Sequence, residues 1–251
     1  MFRMFIAPVV AVAVFALMGT PAQAADEAHG HKDHVNHQAQ SDDAKRVGDP
    51  YPLKVDPLGD SLMDVDKPIV IVHESRELRF ASEENLKKFK ANPDKYLAAV
   101  DKRIIAQQKP TYPLATCVVS GQKLGNMGEP VDVVIGNRLV RFCCGGCKNA
   151  LMKDPAKYFT KIDAAVIKAQ ADDYPMDTCV VSGEGLDEMG KPVDYVIGTR
   201  LVRFCCKGCV KMFEKNPAKY LAKIDAHHGD DADAGDHQED GDGNEHQGHN
   251  H

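Results

Sequence analysis

Two short windows, Cys143-Cys144-Gly145-Gly146-Cys147 and Cys205-Cys206-Lys207-Gly208-Cys209, hold six thiols, each window following an apolar run that ends in Arg-Phe. One further cysteine stands upstream of each, Cys117 and Cys179, and these eight are all the cysteines of the chain. A sulfur from a loop combined with a tight downstream cluster suits a soft or borderline metal ion, because thiolates hold zinc at about 2.3 Å and also favour Cu(I) and heavier thiophilic ions. If each window opens a helix, Cys143 and Cys147, four apart, share a face, and Cys144 and Cys147, three apart, lie on a similar side. A helix N-terminus also favours the thiolate that a metal requires. Cys117, Cys143, Cys144, Cys147, Cys179, Cys205, Cys206 and Cys209 are therefore the candidate ligands, with about one ion expected per window, most simply Zn or Cu(I).

Other chemistries use the same residue types. Cys117 could pair with one cluster thiol in a disulfide while Cys144 pairs with Cys147, as an even cysteine count in an oxidising compartment allows. Cys144-Gly145-Gly146-Cys147 also has the two-residue gap of a redox dithiol, although each unit ends too soon afterwards for a thioredoxin-like sheet. Haem attachment is excluded because Lys148 and Val210 stand where a histidine is needed. No acid/base pair, phosphate loop or activated serine is present, and no enzyme is expected.

The windows belong to an internal repeat. Cys117, Cys143, Cys147 and Tyr158 recur 62 residues later as Cys179, Cys205, Cys209 and Tyr220, and TCVVSG occurs at Thr116 and again at Thr178. An earlier copy begins at Tyr51-Pro52 and keeps Arg79-Phe80 and Pro93-Asp94-Lys95-Tyr96, but has Asp56, Ala81, Ser82 and Asn85 at the cysteine positions. Val131 to Ile135, Gly136-Asn137 and Arg138 to Phe142 read as a β-hairpin, with Gly198-Thr199 as the corresponding link in the third unit. A short helix follows, broken and restarted at Asp154-Pro155. Tyr158, Phe159 and Ile162 have helical spacing, and the second helix should run on through Ile167. The fold class is α+β, with three tandem small β-hairpin-plus-helix units. In the first, Ser82 followed by Glu83 and Glu84 should cap a helix that needs no metal. Asp56 and Asp60 there are read as surface carboxylates rather than hard-cation ligands, and His73 as structural.

A loop cysteine, a hairpin, Phe-Cys-x-x-x-Cys, a short helix and Asp/Asn-Pro-x-Lys-Tyr resemble the YHS/TRASH family of small metal-binding domains. FCCGGC with DPAKY and FCCKGC with NPAKY carry the resemblance over about 50 residues of each armed unit, and RFASEEN with NPDKY carries it in outline in the first. It implies a treble-clef-like fold and work in heavy-metal sensing, trafficking or resistance. It also implies ligation by Cys117, Cys143 and Cys147, and by Cys179, Cys205 and Cys209. Cys144 and Cys206 are additional thiols that could supply a fourth sulfur, and Ser120 and Ser182 stand where a second knuckle cysteine would sit.

The flanks are of another kind. Arg3, the apolar run Phe5 to Met18 and Ala22-Gln23-Ala24 read as an export signal over 1–24, too short to span a bilayer comfortably. Polar segments over 25–49 and 226–251 carry ten of the eleven histidines, the latter with eight acidic residues and no Lys or Arg, and both should be disordered. Their imidazoles could gather ions loosely. Met127, Met176 and Met189 are read as buried gap-fillers rather than thioether ligands. Between the flanks lie a cysteine-free unit over 50–105 and armed units over 110–168 and 172–225. The net charge of −6 without a basic stripe argues against nucleic acid. Together these features predict a periplasmic or secreted protein with no stable membrane span after signal cleavage. It would bind a soft or borderline ion for buffering, delivery or resistance, and another envelope metal-handling protein could be its partner. A disulfide-stapled interaction module and a thiol-disulfide oxidoreductase remain the alternatives.

Overall fold

The β-branched runs on either side of each two-residue link form antiparallel hairpins in the computed structural model, which describes residues 46–233 and side chains as far as residue 227. The export signal and the histidines of the two polar flanks, apart from His227, lie outside these described side chains. In chain order the elements are β1 (Ile69–His73), β2 (Arg76–Phe80), α1 (Glu83–Ala91), α2 (Pro93–Gln108), β3 (Val131–Ile135), β4 (Arg138–Phe142), α3 (Cys147–Lys153) and α4 (Pro155–Gln170). The third unit adds β5 (Val193–Ile197), β6 (Arg200–Phe204), α5 (Lys207–Lys215) and α6 (Pro217–Asp233). The fold is thus α+β, with three two-stranded sheets, β1-β2, β3-β4 and β5-β6, each followed by a helix pair. Helix α6 runs past residue 225, where composition placed the start of the tail.

Local chemistry accounts for these elements. Gly136 and Asn137 both take positive φ, 54° and 66°, which is the left-handed pair that a tight two-residue hairpin turn requires. In the first unit Glu74 and Ser75 do the same at 49° and 64° without glycine, at a cost of roughly 1–2 kcal/mol each. A 2.7 Å hydrogen bond from the Val47 N–H to the Ser75 carbonyl ties that turn down. Each helix pair breaks at one non-helical residue, Asn92, Asp154 or Asn216. That residue closes the first helix with its own N–H and caps the second with its side chain, and a proline follows at the first position of the new helix.

The three units pack against one another in a closed circuit. Gln108, at the end of α2, grips the hairpin turn of the next unit, donating to the Asn137 carbonyl at 3.0 Å and accepting from the Leu139 N–H at 2.7 Å. Gln170, at the end of α4, repeats this on Thr199 and Leu201 at 2.8 Å each. The circuit closes from third unit to first, where Arg79 donates to the Glu214 and Lys215 carbonyls at the end of α5 and Ala218 enters the first unit's apolar core.

At the meeting point of the hairpin turns lies Asp49. Its carboxylate takes a two-pronged contact from the fully buried Arg138, at 2.9 and 2.7 Å, and the Gly198 N–H at 2.6 Å. Its own N–H reaches the Gly136 carbonyl. Residues 46–49, which composition assigned to a disordered lead-in, therefore form an ordered strap across the turns of all three units. The reason is charge pairing across the chain: a buried guanidinium must have a buried carboxylate.

Candidate metal centres

Each upstream cysteine sits in a loop closed by a single β-bridge, Thr116 to Lys123 in the second unit and Thr178 to Gly185 in the third. The Cys117 N–H bonds the Gln122 carbonyl at 2.8 Å, and the Gly121 N–H, on a residue at φ 75°, returns to the Cys117 carbonyl at 2.8 Å. This tight loop turns successive N–H groups toward the sulfur. The third unit repeats it with Cys179, Glu184 and Gly183. Ser120 and Ser182 place their hydroxyls 3.3 and 3.4 Å from the sulfurs of Cys143 and Cys205.

The downstream thiols are positioned differently from the shared helical face that their spacing suggested. Cys143 follows directly on β4, outside any helix, and Cys147 is the first residue of α3. In the third unit Cys205 follows β6, Cys206 is the N-cap of α5 and Cys209 lies in its first turn. A turn between strand and helix, rather than helical periodicity, brings the sulfurs together. Cys143 and Cys147 Sγ are 3.9 Å apart, and Cys205 and Cys209 Sγ are 3.8 Å apart.

With the loop thiols these residues make two triads, Cys117/Cys143/Cys147 and Cys179/Cys205/Cys209, in each of which all sulfurs lie within 4.8 Å of one another. Thiolates about 2.3 Å from a common ion stand about 3.8 to 4.0 Å from each other, whether its geometry is tetrahedral or trigonal. The two triads could therefore hold a metal ion with little movement. Cys144 and Cys206 do not belong to the mutual sets. They stand 3.9 and 3.7 Å from Cys147 and Cys209, respectively, and are more exposed than the loop thiols. All eight cysteines are free, and the closest recorded sulfur pairs are far longer than the roughly 2.05 Å of a disulfide.

The electrostatics are uneven within a triad. Burial pushes the Cys117 thiol up. The N–H groups of Ser120, Cys143 and Val119 and the Ser120 hydroxyl more than offset this, and bring it down to about 6. Cys179 is likewise lowered to about 7. Burial, followed by hydrogen bonds with the neighbouring sulfurs, pushes Cys147 up to about 12, and Cys209 moves in the same direction. Cys144 is lowered, chiefly by the Gly146 N–H, and Cys206, chiefly by the Cys209 N–H. Each loop thus supplies a ready thiolate beside a thiol that keeps its proton until something displaces it.

The first unit fills the same space with a carboxylate and an amide. Asp56, in the place of Cys117, is fully buried rather than on the surface. Its Oδ1 accepts from the N–H groups of Leu58, Gly59 and Asp60 at 2.8 to 3.1 Å, as a knuckle sulfur would. Asn85, in the place of Cys147, donates to Asp56 Oδ2 at 2.7 Å and to Asp60 Oδ2 at 2.6 Å. Ser82 caps α1 through the Asn85 N–H, as expected, and a carboxylate–amide bridge does the joining that thiols and an ion would do elsewhere.

The remaining candidates divide. His73 stacks its edge against Phe89 at 5.3 Å, in keeping with a structural role. Met176 is buried, but Met127 and Met189 are 63% and 64% exposed, so the expectation of buried gap-fillers fails for those two. Both lie in the loops that lead into the hairpins, where no second layer covers them. His227 joins the folded part on α6 and lines an open groove beside the Cys179 loop. At the equivalent position of the first unit, Arg103 donates to the Asp56 and Pro57 carbonyls. Among the described residues no helix is long and apolar enough to cross a membrane.

Comparison with protein-family models, with curated proteins and with solved structures gave no match.

Proposed function

We propose that this chain is an exported carrier of soft or borderline metal ions, taking one ion at each cysteine triad for buffering, delivery or resistance. The observation that carries the reading is the convergence, twice over, of three sulfurs from a loop, a strand end and a helix start within 4.8 Å of one another. Thiolate-only donors select Cu(I), Zn or a heavier thiophilic ion over hard cations. The first unit adopts the same hairpin-and-helix design around an Asp56–Asn85 hydrogen bond, so the design itself does not require thiols. The likeness of FCCGGC/DPAKY and FCCKGC/NPAKY to YHS/TRASH domains supports the same reading, and the apolar run before Ala22-Gln23-Ala24 supports export. The reading involves no catalytic step.

The test is to purify the chain under reducing conditions, remove metal, and titrate Zn(II) and Cu(I) separately while counting free thiols. Two equivalents bound, with the triad thiols protected from alkylation, is the expected result. No uptake, with all thiols reactive, would sink the reading. A reversible dithiol couple with turnover on a disulfide substrate would favour the oxidoreductase instead.

A further inference from the structure

We infer that Cys144 and Cys206 are transfer ligands, outer thiols that take the ion from a donor and pass it to the triad through Cys147 and Cys209. The inference rests on the carrier reading above and specifies how the sites load and empty. Three observations support it.

First, in each armed unit the outer sulfur contacts the helix-start sulfur at 3.9 or 3.7 Å yet lies outside the set whose members are all within 4.8 Å. A closing fourth ligand would instead stand about 3.8 Å from every other sulfur, so neither outer thiol occupies that vertex. Second, the outer sulfurs lie at the surface end of each cluster. Cys117, Cys143, Cys179, Cys205 and Cys209 are buried, Cys144 and Cys206 are partly exposed, and in the second unit the helix-start thiol Cys147 shares that partial exposure. Third, the first unit has Ser82 at this position, where its hydroxyl caps the helix through the Asn85 N–H. The helix start therefore does not need a thiol for structure, and both units with triads have one.

In chemical terms the steps are ligand exchanges. The Cys144 sulfur bonds the incoming ion as one donor ligand leaves, and its proton goes to solvent. Cys147 bonds next as the remaining donor ligand leaves, its proton also going to solvent, giving a two-sulfur surface intermediate. The Cys117 thiolate and Cys143, which gives up its proton, then bond as the Cys144–metal bond breaks and Cys144 takes a proton back. No electron changes hands, and the reverse order empties the site. A two-sulfur intermediate suits an ion that accepts low coordination, which makes Cu(I) the better-matched cargo.

The experiment compares the parent chain with the double variant Cys144→Ser/Cys206→Ser, serine being the residue found at this position in the first unit. Cu(I) is loaded to two equivalents, the equilibrium affinity is measured by competition with a chromophoric Cu(I) chelator, and the extraction rate by excess chelator is followed by stopped flow. The expected result is unchanged stoichiometry, an affinity within about threefold, and extraction slowed by about tenfold or more, as loss of a kinetic route without loss of a ground-state bond requires. Unchanged extraction would overturn the inference by making the outer thiols bystanders. A large loss of affinity with faster release would overturn it by making them closing ligands. Circular dichroism of both proteins excludes misfolding, and a Cys147→Ser/Cys209→Ser variant, which should lose tight binding outright, separates this result from failure of the triad reading itself.

Discussion

Replacing Asp49 with alanine tests whether the strap at the hairpin turns organises the fold. Arg138 and Asp49 side chains are 0% and 1% exposed, and the carboxylate meets the guanidinium at 2.9 and 2.7 Å. In Asp49→Ala the guanidinium keeps only Asp163 as a charged partner, and the Gly198 N–H loses its 2.6 Å acceptor. Breaking a buried ion pair from one side costs about 3–5 kcal/mol, and stranding a buried N–H about 1–3 kcal/mol. The two losses share one carboxylate and are not fully additive, so about 4 kcal/mol is a fair lower expectation. At about 2–4 °C per kcal/mol for a folded region of this size, the midpoint of thermal unfolding should fall by about 8–16 °C. Urea and thermal unfolding followed by circular dichroism, with chelator and reductant present so that no ion contributes, would measure it. An apolar pair, Asp49→Leu with Arg138→Met, should recover much of the loss, since what destabilises the single variant is a buried guanidinium deprived of one of its two carboxylates. A loss below about 1 kcal/mol for Asp49→Ala would refute the argument that the strap organises the fold.

Metal affinity should rise with pH, because a bound ion needs thiolates. Cys117 is already ionised above about 6, whereas Cys147, pushed up to about 12, gives up its proton only on binding. From pH 6.5 to 8.5 the apparent affinity should climb by about tenfold per pH unit for each proton released, read by chelator competition, and a flat profile would contradict the assigned charge states. Cys117→Ala and Cys179→Ala should each lower the stoichiometry from two ions to one in a spectrophotometric titration, and the pair should abolish tight binding. Asn85→Ala removes the donor at 2.7 Å from Asp56 and at 2.6 Å from Asp60. It should cost about 1–3 kcal/mol equally in the metal-free and metal-loaded protein, by urea unfolding.

Much of this was legible in the chain. The 62-residue spacing placed the units, and β-branched runs around Gly136-Asn137 gave β3 and β4 to the residue. Asp154-Pro155 gave the break between helices. That loop and window cysteines would meet was legible too, but recurrence left Cys144 and Cys206 as equal candidates, and only the family resemblance implied the two sets of three. What escaped were features set by distant partners. Asp49 looks like one more acid in a polar stretch, and only Arg138 and Gly198, 89 and 149 residues away, show why it is buried. Asp56 and Asn85 read as losses of cysteine, because their hydrogen bond spans 29 residues and no local pattern announces it. The face shared by Cys143 and Cys147 was inferred from a period that begins only at Cys147, with the Gly145-Gly146 turn making the approach instead. Exposure of Met127 and Met189 likewise depends on what the tertiary fold leaves uncovered.

The strap also places a vulnerable point in the chain: the carboxylate on which the three turns converge belongs to the short segment from Arg46 to Asp49. A cut just after Asp49 or Pro50 would detach that carboxylate and leave the buried Arg138 with Asp163 as its charged partner. Among the described residues, the peptide bonds on either side of Pro50 thus hold three turns together, and their safety depends on whether those turns stay closed over them.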